Sequence, residues 1–286
     1  VRRQIGGALA VRGASFDLHE TRGAGDAERL TREAVLLGYR AVVAAGGDGT
    51  IAEVITGLAG SVVPLGILPI GTANQVAANL GIPPDVERAA EVAVNGVPTP
   101  VDIAQLGDGR HFALMAGAGW DAEVMSFATR ELKDRWGFGA YLFAGLRRAV
   151  TPYTPTTFQI TADGVSFEVR AATVIVANVG QLVYDLFPMD LRIGPGVSFE
   201  DGLLDICIFA PRNLTDVAAV LWRVASRRYV GDDRMIYLQA REIRIDCDPP
   251  AIMQVDGDLA GHTPLVARAV PGGVRVLLPR RPHAAS

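Results

Sequence analysis

Apolar and polar positions change period roughly a third of the way along the chain. Before that point, short continuous apolar runs alternate with stretches of helical spacing. Ala41–Ala45 reads as a buried strand followed by a helix through Ile51–Ile55, and Pro64–Ile70 as a second strand followed by a helix from Val76 to Gly81. Val1–Leu9 reads as the tail of a helix and Ala14–His19 as a strand. Asp26–Leu37 is expected to be helical, with Ala27, Leu30, Ala34 and Leu37 facing inward. A further helix is expected around Val86–Val94, and Asn95–Pro100 reads as a turn. Beyond it, strands predominate: Phe112–Ala116, Thr157–Ala162, Ser166–Val169, Thr173–Ala177, Leu204–Phe209, Glu242–Cys247, Ala251–Val255 and Val274–Leu278. Tight turns such as Ala162-Asp163-Gly164 favour antiparallel pairing. Helices are expected at 121–130, 139–150 and 215–228. The pattern predicts an α/β N-terminal domain with a parallel sheet over residues 1–102 and an antiparallel β-rich sandwich over 103–286.

The two predicted strand–helix junctions carry the chemistry. Gly46-Gly47-Asp48-Gly49-Thr50 follows the first strand, and Gly71-Thr72-Ala73-Asn74-Gln75 follows the second. Glycines let backbone amides approach an anion, and a helix N-terminus adds unpaired N–H groups and a positive dipole end. Neighbouring parallel strands would open both turns at the same carboxyl edge, where open α/β sheets bind ligands. Asp48 repels phosphate at such a corner unless a cation or a transferable proton lies between them. Thr50, Thr72 and Asn74 carry short polar groups suited to phosphate oxygens or to turn amides. A bare tight connection is the competing reading for either glycine turn alone.

With the glycine turns and Glu53-Val54, the chain resembles the diacylglycerol/sphingosine kinase family, including its bacterial soluble branch. The resemblance continues through Leu68–Asn74, Gly117-Ala118-Gly119-Trp120-Asp121-Ala122, Asp201-Gly202-Leu203-Leu204-Asp205 and Val255-Asp256-Gly257-Asp258, in the family's order. It implies an NAD-kinase/phosphofructokinase-like first domain, a lipid-substrate second domain, and Mg²⁺-dependent transfer from ATP to a lipid hydroxyl, diacylglycerol or a related lipid. Asp258 is implied as the base that takes the hydroxyl proton, against a solvated hairpin turn as the plain reading of Asp256-Gly257-Asp258. Asp48 is either a second candidate base or an organiser of metal and phosphate. Nucleotide contacts are implied for Thr21, Gly46, Gly47, Asp48, Gly49, Thr50, Glu53, Gly71, Thr72 and Asn74, with capping of the following helix as the alternative for Thr21. Ser198, Asp201 and the backbone carbonyl of Leu203 are implied as Mg²⁺ ligands, against a simple β-turn. An opening strand and an Asn-Pro-x-Ser-Gly-like loop would precede Val1 and are absent from this sequence. Ala52 stands where many relatives carry Asn, and Gln75 where many carry Asp.

Composition narrows the alternatives. A net charge of −4 disfavours a nucleic-acid binder held by a broad basic surface. Lys133 is the one lysine and lies in neither a P-loop nor a protein-kinase context, so phosphate handling falls to amides, hydroxyls, arginines and a metal. No apolar run is long enough to span a bilayer, no secretory signal is visible, and Cys207 and Cys247 read most simply as buried free thiols. These features suit a cytoplasmic enzyme working at the inner face of the membrane, and a homodimer is compatible with them. Segment 130–148 combines arginines with Trp136, Phe138 and Tyr141, which suits either a helix lying on anionic lipid or ordinary core. An NAD kinase and a catalytically silent lipid- or nucleotide-binding protein remain the rival functions.

Overall fold

The computed structural model describes residues 1–120, 122, 155–178, 181–183, 191–192, 198–226, 228 and 231–280. Segment 130–148, the helix expected at 139–150 and all but Ala122 of that expected at 121–130 lie outside the described residues. In chain order the elements are α1 (Arg2–Val11), α2 (Asp26–Leu36), β1 (Val42–Gly46), α3 (Asp48–Leu58), β2 (Leu65–Pro69), α4 (Gln75–Asn79), α5 (Val86–Asn95) and β3 (Val97–Leu106). There follow β4 (His111–Phe112), β5 (Met115–Gly119), β6 (Thr156–Ala162), β7 (Val165–Ala171), β8 (Thr173–Ala177), β9 (Gln181–Val183), β10 (Leu191–Arg192) and β11 (Leu204–Phe209). The last are α6 (Leu214–Ala225), β12 (Met235–Ala240), β13 (Glu242–Cys247), β14 (Ile252–Val255), β15 (Asp258–His262) and β16 (Leu265–Leu278). Contacts divide the chain into two compact units. One is Val1–Ile103 together with the stretch from Pro271; the other is Ala104–Val270.

In the first unit β1 pairs with β2 in parallel, Val42 opposite Leu65 and Gly46 opposite Pro69, and β2 pairs in parallel with β16 at Val276. Every residue of β2 is buried. That is why its sequence is a continuous apolar run and not an alternation: both of its faces are covered. Helix α5 approaches closely through Ala89, Ala90 and Ala93, and a Cβ on Gly66 would lie 3.0 Å from that of Ala93. Arg12, just past α1, ties that helix to α5 through Glu87 and Glu91.

Several expectations need correction. Ala14–His19 is not a strand: among the described residues no strand pairs with it, and Ser15, Phe16, Asp17 and His19 are exposed. On α2, Thr31 is buried in place of the expected Leu37, which is 76 % exposed. The cause is α3: a Cβ on Gly57 would sit 2.7 Å from that of Thr31, so the seam admits only a small side chain. Helix α3 starts at Asp48, three residues before the expected Ile51. Val97–Pro100 belongs to strand β3 and not to a turn, and β12 and β15 had no counterpart in the sequence reading. The second domain was expected to run to the C-terminus, yet the contacts return the stretch from Pro271 to the first unit.

Within the second unit, β16, β13, β6 and β7 pair antiparallel in that order. Among the described residues a second antiparallel sheet runs β12-β11-β8-β5-β14-β15. Both sheets supply one core: Phe158, Ile160, Ile243 and Ile245 from the first, and Val174, Val176, Ile206 and Ile208 from the second. Alternate residues of most of these strands point into that core, a sandwich-like arrangement. The β6–β7 turn places Asp163 and Gly164 at φ 47° and 81°, the left-handed pair that a two-residue hairpin requires. Among the described residues, no helix is long and apolar enough to cross a membrane.

Candidate functional site

The two glycine turns of the first unit meet backbone to backbone. A Cβ on Gly71 would lie 2.4 Å from Gly47 Cα, and one on Gly46 would lie 2.7 Å from Thr50 Cβ and Oγ1. Glycine is therefore dictated at both places by space alone. The Gly46 carbonyl also accepts a hydrogen bond from the Ile70 amide at 3.3 Å.

Asp48 locks this junction. It is the first residue of α3, yet its carboxylate reaches across to α4, accepting from the amides of Gln75 at 3.0 Å and Val76 at 2.8 Å. Asp48 thereby caps the neighbouring helix, an interaction of about 1 kcal/mol for an ordinary cap. Asn74 closes the second turn from inside. Its backbone is left-handed at φ 49°, its Oδ1 accepts from the Gly71 amide at 2.9 Å, and its Nδ2 donates to the carbonyls of Gly71 and Pro69. Thr72 and Gly49 are exposed at the tips of the two turns, while Thr50 is half-buried on the first turn of α3.

Glu53 performs for α2 what Asp48 performs for α4. Its two oxygens accept from the amides of Gly25 at 2.8 Å and Ala27 at 2.9 Å. The N-cap of α2 is Gly25, with no side-chain cap of its own, so the capping alternative for Thr21 does not hold. Thr21 is exposed ahead of that helix. The corner thus brings Gly46, Gly47, Asp48, Thr50, Gly71, Thr72 and Asn74 together. Glu53 connects this group to α2 through backbone amides.

In the second unit, Asp256-Gly257 forms the turn between β14 and β15, with φ 48° and 88° and Val255 opposite Asp258. This is a hairpin, but not a merely solvated one. The Asp256 carboxylate accepts from three consecutive amides, those of Ala113 (3.0 Å), Leu114 (2.9 Å) and Met115 (3.0 Å). Asp258 follows as the exposed first residue of β15. Asp256 therefore fixes the turn from which Asp258 is presented. Sequence reasoning passed over it because its partners lie more than 140 residues away.

The Ser198–Leu203 loop is folded by its own side chains. Ser198 Oγ accepts from the Glu200 amide at 3.1 Å, and Asp201 Oδ1 accepts from the Leu203 amide at 3.0 Å. These are the bonds of a tight turn, and they leave lone pairs on hard oxygens, since an ionised carboxylate offers about four acceptor positions. The donor set fits Mg²⁺. Two residues beyond Leu203, Asp205 is fully buried, with its Oδ1 accepting from Tyr237 Oη and from Gln239 Nε2 at 3.1 Å. Its Oδ2 has no hydrogen-bond partner among the described residues. Burial first, and then the nearby Asp201 charge, pushes the Asp205 carboxyl up to about 6, while the bonds from Tyr237 and Gln239 pull the other way. A charged residue inside the otherwise apolar strand Leu204–Phe209 was the signal available in the sequence. Among the described residues, no cluster of three His, Cys, Asp or Glu side chains is placed to hold a metal.

Comparison with known proteins agrees with both units. The model of the diacylglycerol kinase catalytic domain matches residues 1–106, and that of the YegS C-terminal NAD kinase beta sandwich-like domain matches residues 115–278. The chain is 33% identical over 258 residues to a diacylglycerol kinase of Bacillus subtilis (strain 168), covering 88% of this chain and 82% of that protein. It is 35% identical over 208 residues to a probable lipid kinase YegS-like of Klebsiella pneumoniae (strain 342), covering 71% of this chain and 68% of the other. A crystal structure from Bacillus anthracis str. Sterne, provisionally described as a diacylglycerol kinase, superposes with a TM-score of 0.82 at 27% identity, covering 97% of this chain and 89% of that one. With glycine corners on an α/β unit, an anchored Asp-Gly-Asp hairpin on a sandwich, and these matches over both, the chain belongs to the bacterial lipid kinase family that joins a diacylglycerol kinase catalytic domain to a YegS-type C-terminal domain.

Proposed function

We propose that this chain transfers the γ-phosphoryl group of ATP to the hydroxyl of a membrane lipid, diacylglycerol or a close relative. The observation that carries this reading is the contact of Gly47 with Gly71, locked by Asp48 onto the amides of α4. With the amides of Gly71, Gln75 and Val76 taken by Asn74 and Asp48, cradling the oxygens of a polyphosphate would fall to the amides of Gly47–Thr50 and Thr72–Asn74, which the locked corner holds in place. When bound, Mg²⁺ neutralises phosphate charge. Asp48 would hold it at the glycine corner, and Asp201 with the Leu203 carbonyl and Ser198 would hold a further ion in the second unit.

Asp258 is assigned the proton of the acceptor hydroxyl. It is exposed, it carries a carboxylate, and Asp256 stiffens the turn directly before it. Phosphoryl transfer asks little covalent chemistry of a protein, so positioning carries most of the work and a single base completes it. The acceptor is dissolved in a bilayer, so the enzyme would act at the inner face of the cell membrane.

The deciding experiment supplies radiolabelled ATP and Mg²⁺ with extracted lipids in one reaction and with NAD in another. Label moving into lipid is the expected outcome. Label moving into the dinucleotide, or into neither, overturns the proposal. Asp258→Asn in the same assay should abolish transfer with ATP affinity retained. Wild-type turnover by that variant removes Asp258 as the base and makes Asp48 the first alternative.

A further inference from the structure

We propose that Gln254 is a positioning residue for phosphoryl transfer, a role that rests on Asp258 being the base. Its side-chain carbonyl fixes the central peptide of the Asp256-Gly257 turn and so the direction in which Asp258 is presented. Gln254 is fully buried, and its Oε1 accepts from the Gly257 amide at 2.9 Å. That amide belongs to the peptide between Asp256 and Gly257, and type I′ and II′ turns differ by a flip of this unit. Asp258 is the next residue, so a flip there would re-aim its carboxylate.

The β6–β7 hairpin shows what such a turn needs by itself. Its Asp163-Gly164 pair has φ 47° and 81°, against 48° and 88° at Asp256-Gly257, and Ala162 closes on Val165 as Val255 closes on Asp258. Each Asp also docks its turn in the same way. The Asp163 amide donates to the Glu242 carbonyl, and its carboxylate accepts from the amides of Arg241 and Glu242. The Asp256 amide donates to the Met115 carbonyl, and its carboxylate takes the amides of Ala113, Leu114 and Met115. The difference lies two positions before each Asp. Thr161 bonds Ser166 across the strands, Oγ1 to Oγ at 2.9 Å, whereas Gln254 turns forward onto the Gly257 amide. Of the two turns, the one carrying the candidate base has the extra clamp.

The surroundings of Gln254 make an amide there costly. Met253 and Val255 pack against the sandwich core, so Gln254 lies on the other face of the sheet, in a row that runs through Gly117 to Ile175 and Cys207. Ile175 and Cys207 are themselves buried. An amide among such neighbours pays desolvation that an apolar side chain of the same size would avoid, and its hydrogen bonds offset that cost. Gly117, directly across on β5, brings no side chain into the path from Gln254 to the turn. Phosphoryl transfer depends on placement more than on covalent chemistry, so a fixed turn before the base serves the reaction directly.

The experiment uses the full chain with radiolabelled ATP, Mg²⁺ and extracted lipids, each variant assayed below its melting temperature. Gln254→Met keeps the volume and loses the acceptor, so kcat should fall about tenfold or more with KM for ATP unchanged. Gln254→Glu is neutral when buried, keeps a carbonyl oxygen and should recover most of that loss. Wild-type kcat in Gln254→Met, an equal loss in Gln254→Glu, or a fall matched by lost ATP-binding stoichiometry overturns the proposal. Asp258→Asn is assayed alongside. Full turnover there ends the base assignment and this role together; an inactive Asp258→Asn beside a fully active Gln254→Met ends this role alone. If Gln254→Met does not fold, amide hydrogen exchange in wild type decides. The Gly257 N–H should exchange about tenfold or more slowly than its counterpart at Gly164. Equal rates overturn the proposal.

Discussion

Asp48 and Asp256 use one device in different units: a carboxylate at a turn gathers the amides of a second loop and so fixes two chain segments together. Asp256 serves three amides, and an Asn there offers a single carbonyl oxygen. At least one of those half-buried donors loses its partner, so Asp256→Asn should lower stability by about 2–3 kcal/mol. Urea unfolding measures this, and an unchanged midpoint would mean that the amides find other acceptors. Asp48→Asn should lose one of its two amides and, with the charge, weaken Mg·ATP binding and turnover together. Equal nucleotide affinity in wild type and variant would count against the phosphate-corner role. Gly71→Ala carries the same lesson without charge. Its methyl group would stand 2.4 Å from Gly47 Cα, so the corner must open, and turnover should fall more than ten-fold.

Among the elements, α6 depends on ionic anchoring. Asp232 accepts from the Arg234 amide and guanidinium and pairs with Arg223 of α6, while Arg234 also reaches Asp216 on that helix. The hydrogen bonds from Arg234 hold the Asp232 carboxyl down at about 2. The native state therefore releases this proton more readily than the unfolded chain, whose aspartates titrate near pH ~4. The stabilisation is complete above that value and disappears as pH falls towards about 2. Asp232→Asn should accordingly melt below wild type at neutral pH, with the gap closing between about pH 4 and pH 2. A gap that stays constant across that range would assign the loss to packing. Strand β3 illustrates what a local pattern conceals. Asn95-Gly96 and the prolines at 98 and 100 have the composition of a turn, and Val97, Pro98 and Pro100 are exposed. Proline is tolerated in strands where its missing N–H is not needed for pairing. That condition is set by a partner distant in sequence, β16.

At the scale of the whole chain, legibility followed distance. The strand–glycine–helix corners and the Asp163-Gly164 hairpin could be read because turn chemistry and apolar runs are local signals. Asp256 and Asp205 could not be given roles, since their partners come from other strands. The buried face of α2 was misjudged because Gly57, on another helix, sets the space there. The first unit is discontinuous: β2 pairs with β16 at Val276, and the stretch from Pro271 belongs with residues 1–103. During translation the whole second unit therefore leaves the ribosome before the first can complete its sheet. The exposed flank of β2, Leu65–Pro69, must wait unpaired through that interval, as an apolar strand edge of the kind that chaperones hold and that aggregates form on. A nascent chain arrested after residue 270 should thus yield a protease-resistant second unit and a protease-sensitive first one. Release of the final strand, not the appearance of the glycine corners, should mark the moment at which ATP can first bind.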